Sequence, residues 1–341
     1  MKLQSIQILR GIAAWMIVFY HFIKHFHYPT ENTGLFSFFG QLGIDMFFVI
    51  SGFIMAFILS TNHRTTKDFI LNRIIRIVPN YWFWTLIMMI VGYLISDGHV
   101  LNTTFSSFFL SIFFITHDHP SAFLGYYPLL SVGWTLNMEM FFYVLISLVL
   151  LFGMTARKTL FMTGFILFCF VAIYKIFHIE LYKEVAGNAR LLEFMFGIIL
   201  HYLWKSKLSF FRSKYYLIFL FTITCTVCFV AVPDTLKLIS VAVLLVYLFL
   251  LFDNYLNPEN FFIQKLVNLG EMSYSTYLLH IIIILVVHHY LGDIMTLSVF
   301  IYALVSTMIL VYIFSMLSHK LIEVNISNFL RIHLISKILK K

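Results

Sequence analysis

Ser5-Ile-Gln-Ile-Leu-Arg-Gly-Ile-Ala-Ala-Trp-Met-Ile-Val-Phe-Tyr-His-Phe22 is almost wholly apolar, yet it holds Arg10 and His21. A run of this length and hydropathy reads as a membrane-spanning helix. Hydrocarbon cannot solvate an arginine or a histidine, so both need partners or water inside a protein bundle. The two residues are eleven positions apart. At roughly 100° per residue they share one face, and at about 1.5 Å per residue they lie roughly 16 Å apart along the axis. The helix therefore presents a polar stripe with one end toward each membrane surface.

The rest of the chain extends this reading. Of 341 residues, 61% are hydrophobic, 19% aromatic and only 11% charged, and 40 are Phe, which excludes an ordinary soluble domain. Apolar stretches long enough to cross a bilayer occupy 6–24, 41–60, 79–96, 132–152, 159–177, 189–204, 214–232, 236–252, 272–291 and 296–318. A shorter apolar piece at 105–116 reads as a loop or re-entrant helix. The expected fold is thus an all-α integral membrane protein of about ten transmembrane helices. The N-terminal run has no basic region followed by a small-residue cleavage site, so it reads as a retained first helix. With this alternation, 17 Lys and Arg fall on the side of the N-terminus and five on the other, with Arg10 inside the first span. The positive-inside rule then places both termini in the cytoplasm. The formal charge of +8 is accordingly a matter of topology and gives no nucleic-acid signal.

No Pro-, Gly- or Ser-rich linker, low-complexity tail or clear repeat divides the sequence, so residues 1–341 are expected to form one membrane domain. Cys169, Cys225 and Cys228 lie inside predicted spans and read as small apolar groups, because a lone Cys-x-x-Cys without further ligands is a poor metal or redox signal.

Depth sorts the intramembrane polar residues. Arg10, Arg73, Arg76, Ser273 and Tyr274 fall toward the cytoplasm; His21, Asp45 and Glu139 fall toward the far side, with His280 near mid-depth. Charges at such depth usually serve function. Arg73-x-x-Arg76 ends at Pro79, where the third span is expected to begin. Residues three apart on a helix are neighbours, so the pair reads either as a guanidinium fork for phosphate oxygens or as ordinary anchors to lipid headgroups. His21 reads either as a packed, hydrogen-bonded side chain or as a base, since desolvation keeps an imidazole neutral. Asp45 and Glu139 read as partners of His21 or as plain counter-charges to Arg10.

Five runs together resemble the membrane-bound acyltransferase-3 family of O-acyltransferases: Arg10 with His21 eleven positions on, Gly43-x-Asp-x-Phe-Phe-x-Ile-Ser-Gly-Phe53, Arg73-x-x-Arg76-x-x-Pro79, Trp134-Thr-Leu-x-x-Glu139-x-x-Phe-Tyr143, and Ser273-Tyr-Ser-Thr-Tyr-Leu-Leu-His280. The likeness runs from Gln4 to Glu323 and is strongest in the first 145 residues. At Glu323 the family often continues with a basic residue and a proline, whereas Val324 and Asn325 follow here. The resemblance is to the stand-alone form, without the family's frequent C-terminal hydrolase-like domain.

The resemblance implies an O-acetyltransferase of the bacterial inner (cytoplasmic) membrane that takes an acyl group, usually acetyl, from cytoplasmic acyl-CoA. The acceptor would be a hydroxyl of an extracytoplasmic or lipid-linked polysaccharide such as O-antigen, capsule or exopolysaccharide. On this reading Arg73, Arg76 and Arg10, with Ser273 and Tyr274, hold acetyl-CoA as a substrate, with no bound cofactor. His21 acts as general base or as a transient acyl carrier, and Asp45 or Glu139 orients its imidazole. A proton-coupled transporter or flippase also uses intramembrane His, Asp and Glu, but no repeat of the carrier kind is evident. The histidines of the outer loops, among them His25, His27, His99, His117, His119, His288 and His289, follow no ligand spacing and read as solvated, so no metal site is expected. The loop at 97–131, with Phe123, Tyr126 and Tyr127, is a candidate contact for the acceptor.

Overall fold

The computed structural model describes residues 3–26, 33–61, 65–95, 105–119, 125–177, 183–206, 234–292 and 296–335, together with 218, 221–224 and 226. Among them the chain is helical with no strand: α1 (Gln4–Phe26), α2 (Thr33–Thr61), α3 (Thr66–Ile95), α4 (Phe105–Ile112), α5 (Trp134–Leu150), α6 (Ala156–Phe177), α7 (Lys183–Ala186), α8 (Leu191–Lys205), α9 (Asp234–Phe252), α10 (Phe261–Glu271), α11 (Ser273–Leu291) and α12 (Leu297–Ser318). Beyond Ser318, α12 continues through π-helical turns at His319–Ile326 and Arg331–Ile335. Eight of the described helical stretches are long and apolar enough to cross a membrane. Of the remaining expected spans, 189–204 corresponds to α8, only 15 residues long, and 214–232 lies almost entirely outside the described residues, as do Cys225 and Cys228. Cys169 is a half-buried free thiol on α6.

The helices group into two compact units that interleave along the chain. The first comprises Met1–Ile17, Gly34–Arg64 and Leu148–Glu271. Its core joins Leu9, Ala13, Met46, Phe53, Val246 and Tyr247 from α1, α2 and α9. Glycines set its closest helix approaches. A Cβ at Gly52 would collide with the carbonyl of Phe194, and one at Gly197 with the backbone of Val49 and Phe53, so α2 and α8 cross backbone against backbone. Small residues at such crossings let membrane helices gain dispersion contacts that lipid cannot offer.

The second unit comprises Val18–Thr33, Thr65–Ser147 and Met272–Lys341. Its α3 begins thirteen residues before Pro79, at Thr66, so Pro79, where the third span is expected to begin, is internal to a helix that also carries Arg73 and Arg76. Two local devices explain the difference. Thr65 Oγ accepts from the Asp68 amide at 3.1 Å and donates to Asp68 Oδ2 at 2.7 Å, a reciprocal N-terminal cap. Pro79 has no N–H for the carbonyl of Ile75, and Ser327 Oγ donates to that carbonyl instead, at 3.1 Å. A supplied donor lets the helix run through its proline. α11 packs against both α3 and α12.

Candidate active site

The second unit assembles a directed chain of hydrogen bonds around His21. His280 is fully buried on α11, and its Nδ1 lies 3.2 Å from the carbonyl of Thr276, one turn back along the helix. A carbonyl only accepts, so that nitrogen carries the proton and Nε2 carries the lone pair. His280 Nε2 lies 3.0 Å from His21 Nδ1, which is therefore the donor. In the neutral imidazole this tautomer puts the basic lone pair of His21 on Nε2. Next to the pair, the Tyr277 ring is centred 5.9 Å from that of His280. Its hydroxyl donates to the carbonyl of Val132 at 2.7 Å and lies 2.8 Å from Thr135 Oγ.

A basic cluster forms lower on α3 in the same unit. Arg73 is buried, with its guanidinium carbon 5.8 Å from the centre of the Tyr143 ring. Tyr143 donates to Glu139 Oε1 at 2.5 Å, one turn away on α5. Arg73, Arg76, Glu139 and Tyr143 interact electrostatically, and Tyr274 joins Arg76, Glu139 and Glu323 in the same field. Arg73 Nε and Nη1 are buried and hydrogen-bond nothing among the described residues, and neither does Ser273 Oγ. A buried guanidinium with two such donors suits an anion. Tyr274 donates to the carbonyl of Ile77 at 2.8 Å.

A third run of polar side chains ties α3, α11 and α12 together. Trp84 donates to Ser318 (3.0 Å), Ser318 to Asn80 Oδ1 (3.1 Å), Asn80 Nδ2 to Ser275 (3.1 Å) and Ser275 to Glu323 Oε2 (2.8 Å). His319 Nδ1 lies 2.9 Å from the same carboxylate oxygen. Glu323 thus terminates an ordered network in a π-helical turn, although Val324 and Asn325 depart from the family pattern beside it.

The other expected site residues belong to the first unit. Arg10 Nη1 donates to Gln7 Oε1 at 3.2 Å. Asp45, 1% exposed, is held by Arg190 Nε at 2.7 Å, and Arg190 also donates to Gln41 Oε1 at 3.3 Å. Glu193, fully buried one turn along α8, faces Asp45. His21 Nδ1 donates to an imidazole, Asp45 accepts from Arg190, and Glu139 accepts from Tyr143.

Several of these residues carry little signal in the sequence. For His280 the sequence signal is a histidine in mid-span of an apolar helix, which gives its depth but no role. Arg190 reads in sequence only as one of the five basic residues on the far side, and Glu193 is an acid within the expected span 189–204. His117 and His119, read as solvated, are buried at 8% and 5% exposure. His27, His99 and Phe123 lie outside the described residues. No group of three or more potential metal ligands occurs among the described residues.

A profile of the family described as "Acyltransferase domain" matches residues 3–316. The "Exopolysaccharide production protein ExoZ" of Rhizobium meliloti is 41% identical over 122 residues, covering 36% of this chain and 38% of that protein. A provisionally named acetyltransferase of Acidianus two-tailed virus is 29% identical over 292 residues, 80% of this chain and 81% of its own. A provisionally named O-acetyltransferase of Staphylococcus aureus is 26% identical over 353 aligned positions, 92% of this chain and 56% of its own. The match thus spans well under two thirds of the rhizobial and staphylococcal proteins. No solved structure matches the chain.

Proposed function

The chain belongs to the acyltransferase-3 family, and we propose that it is a membrane O-acyltransferase that moves an acetyl group from cytoplasmic acetyl-CoA to a hydroxyl of a polysaccharide or lipid-linked glycan on the far side of the bacterial inner membrane. The observation that carries this reading is the ordered chain His21–His280–Thr276. His21 Nε2 takes the proton of the acceptor hydroxyl as its oxygen attacks the thioester carbonyl. The tetrahedral adduct collapses, the carbon–sulfur bond breaks, and the thiolate takes the proton back from His21. Throughout, His21 Nδ1–H keeps donating to His280 Nε2, so neither ring changes tautomer as the imidazolium forms and decays. A base held in this way loses little to reorganisation.

Donor binding falls to Arg73 and Arg76. The two buried nitrogens of Arg73 offer charge-assisted bonds to phosphate oxygens of the CoA moiety, with Arg76 one turn on. An exopolysaccharide protein among the relatives supports a glycan acceptor.

The test compares alkali-labile acetyl on the envelope polysaccharides of cells expressing wild type, His21→Ala or neither, at matched membrane levels. Acetyl appearing only with wild type supports the proposal. Equal acetyl with His21→Ala would remove His21 from the chemistry, and no wild-type increment would remove the acetyl-to-glycan assignment.

A further inference from the structure

The segment after α4 is a built surface rather than a plain connection. Asp118 and Tyr126 face each other across an isolated antiparallel bridge, with the His119 amide donating to the Gly125 carbonyl at 2.8 Å. Directly opposed residues in such a pair set their side chains on the same face. Both side chains are exposed there, Tyr126 at 55%, while His117 and His119 on either side of Asp118 point inward and are buried.

The inward residues hold the segment in place. His117 Nδ1 donates to the Ile115 carbonyl at 3.0 Å, and its Nε2 lies 3.4 Å from Ser111 Oγ. Ser111 Oγ also accepts from the Leu129 amide at 2.9 Å, and the Ser111 carbonyl accepts from Tyr81 at 3.1 Å. Phe114 adopts a positive φ of 61°, an uncommon conformation for a bulky residue, and its ring stacks on Tyr81. So much buried polar structure holds in place a surface that carries the exposed Asp118 and Tyr126, which is the arrangement of a binding loop on a rigid scaffold.

The same segment leads to the catalytic pair. From Tyr126 the chain passes through buried Pro128, Leu129 and Leu130 to Val132, whose carbonyl holds the Tyr277 hydroxyl beside His280. Six residues span at most about 20 Å, within the reach of an oligosaccharide.

We propose that Tyr126 and Asp118 form a subsite for a pyranose ring of the acceptor. The ring C–H face of a sugar stacks on the tyrosine, and the Asp118 carboxylate accepts bonds from neighbouring hydroxyls. A carboxylate beside an exposed ring favours a donor-rich neutral ligand over an anion. The inference rests on the glycan-acceptor reading above.

The experiment uses the full chain in lipid nanodiscs, radiolabelled acetyl-CoA, and oligosaccharides released from the host envelope and stripped of esters by mild alkali. Tyr126→Ala is expected to raise the oligosaccharide concentration for half-maximal transfer roughly tenfold, and Asp118→Asn roughly fivefold. Tyr126→Phe and Tyr126→Trp, which keep an aromatic face, stay within about twofold of wild type. Half-saturation by acetyl-CoA moves less than about twofold in all four. Wild-type enzyme that acetylates no oligosaccharide would instead count against the glycan acceptor itself. With active wild type, unchanged acceptor dependence in both Tyr126→Ala and Asp118→Asn overturns the subsite. A fall in turnover with unchanged half-saturation overturns it equally, as the mark of a structural role. The effect is expected with free and lipid-linked oligosaccharide alike; an effect confined to the lipid-linked form would also overturn it.

Discussion

His280 and His201 are both buried histidines on apolar helices, one in each unit of the molecule, and their surroundings differ in kind. His280 uses both ring nitrogens, one on the Thr276 carbonyl and one on His21. His201, 1% exposed on α8, meets Phe53 and Phe57 edge to face at centroid separations of 5.5 and 6.0 Å, with Trp204 at 6.4 Å. Neither of its ring nitrogens has a hydrogen-bond partner among the described residues. Burial of a titratable side chain therefore does not mark a site by itself. What marks one is an ordered run of donors and acceptors that fixes which nitrogen holds the lone pair.

Substitutions sharpen the contrast. His21→Ala should lower acyl transfer by about a thousandfold or more at unchanged membrane level, measured by transfer of radiolabelled acetyl. His280→Ala should cost roughly a hundredfold in turnover, and His280→Gln, which keeps an acceptor for His21 Nδ1–H, much less. Adding His280→Ala to His21→Ala should cost nothing further if the two act as one unit, and a fully additive loss would separate them. Arg73→Ala should raise half-saturation by acyl-CoA about thirtyfold with a smaller change in turnover, read from initial rates at varied donor concentration. His201→Leu should leave activity within about twofold and the thermal midpoint no lower, because it removes an imidazole that pairs with nothing described. A large activity loss in His201→Leu would break the comparison outright.

Parts of this picture are legible in the sequence, each through a different signal. Mean apolarity over long windows marks helices that cross a membrane, and the eleven-residue spacing of Arg10 and His21 marks one face of α1. Neither says which helix lies opposite that face. The partnership of His21 with His280 spans 259 positions in the chain, and no periodicity within α1 or α11 encodes it. The apolar third span is expected to begin at Pro79, yet the helix runs through it, and a hydroxyl 252 positions away from Ile75 meets the carbonyl that proline leaves without an amide. His117 and His119 looked solvated because loops generally are, yet alternation about Asp118 turns both inward. The relation of Glu193 to Asp45 is likewise invisible in sequence, because it comes from the α2–α8 crossing, which depends on Gly52 and Gly197 lacking side chains.

The bond from Ser327 to the Ile75 carbonyl also has a history in time. A ribosome adding about 5 to 20 residues per second needs roughly 10 to 50 s to cover the 252 positions between them. Throughout that interval α3 is in the membrane without the hydroxyl that meets its proline gap. Nascent chains stopped before Ser327 should therefore hold α3 in a state more open to cross-linking or protease near Ile75 than chains released after it. A stretch made some 252 positions after Ile75 thus acts as the closing clasp of α3.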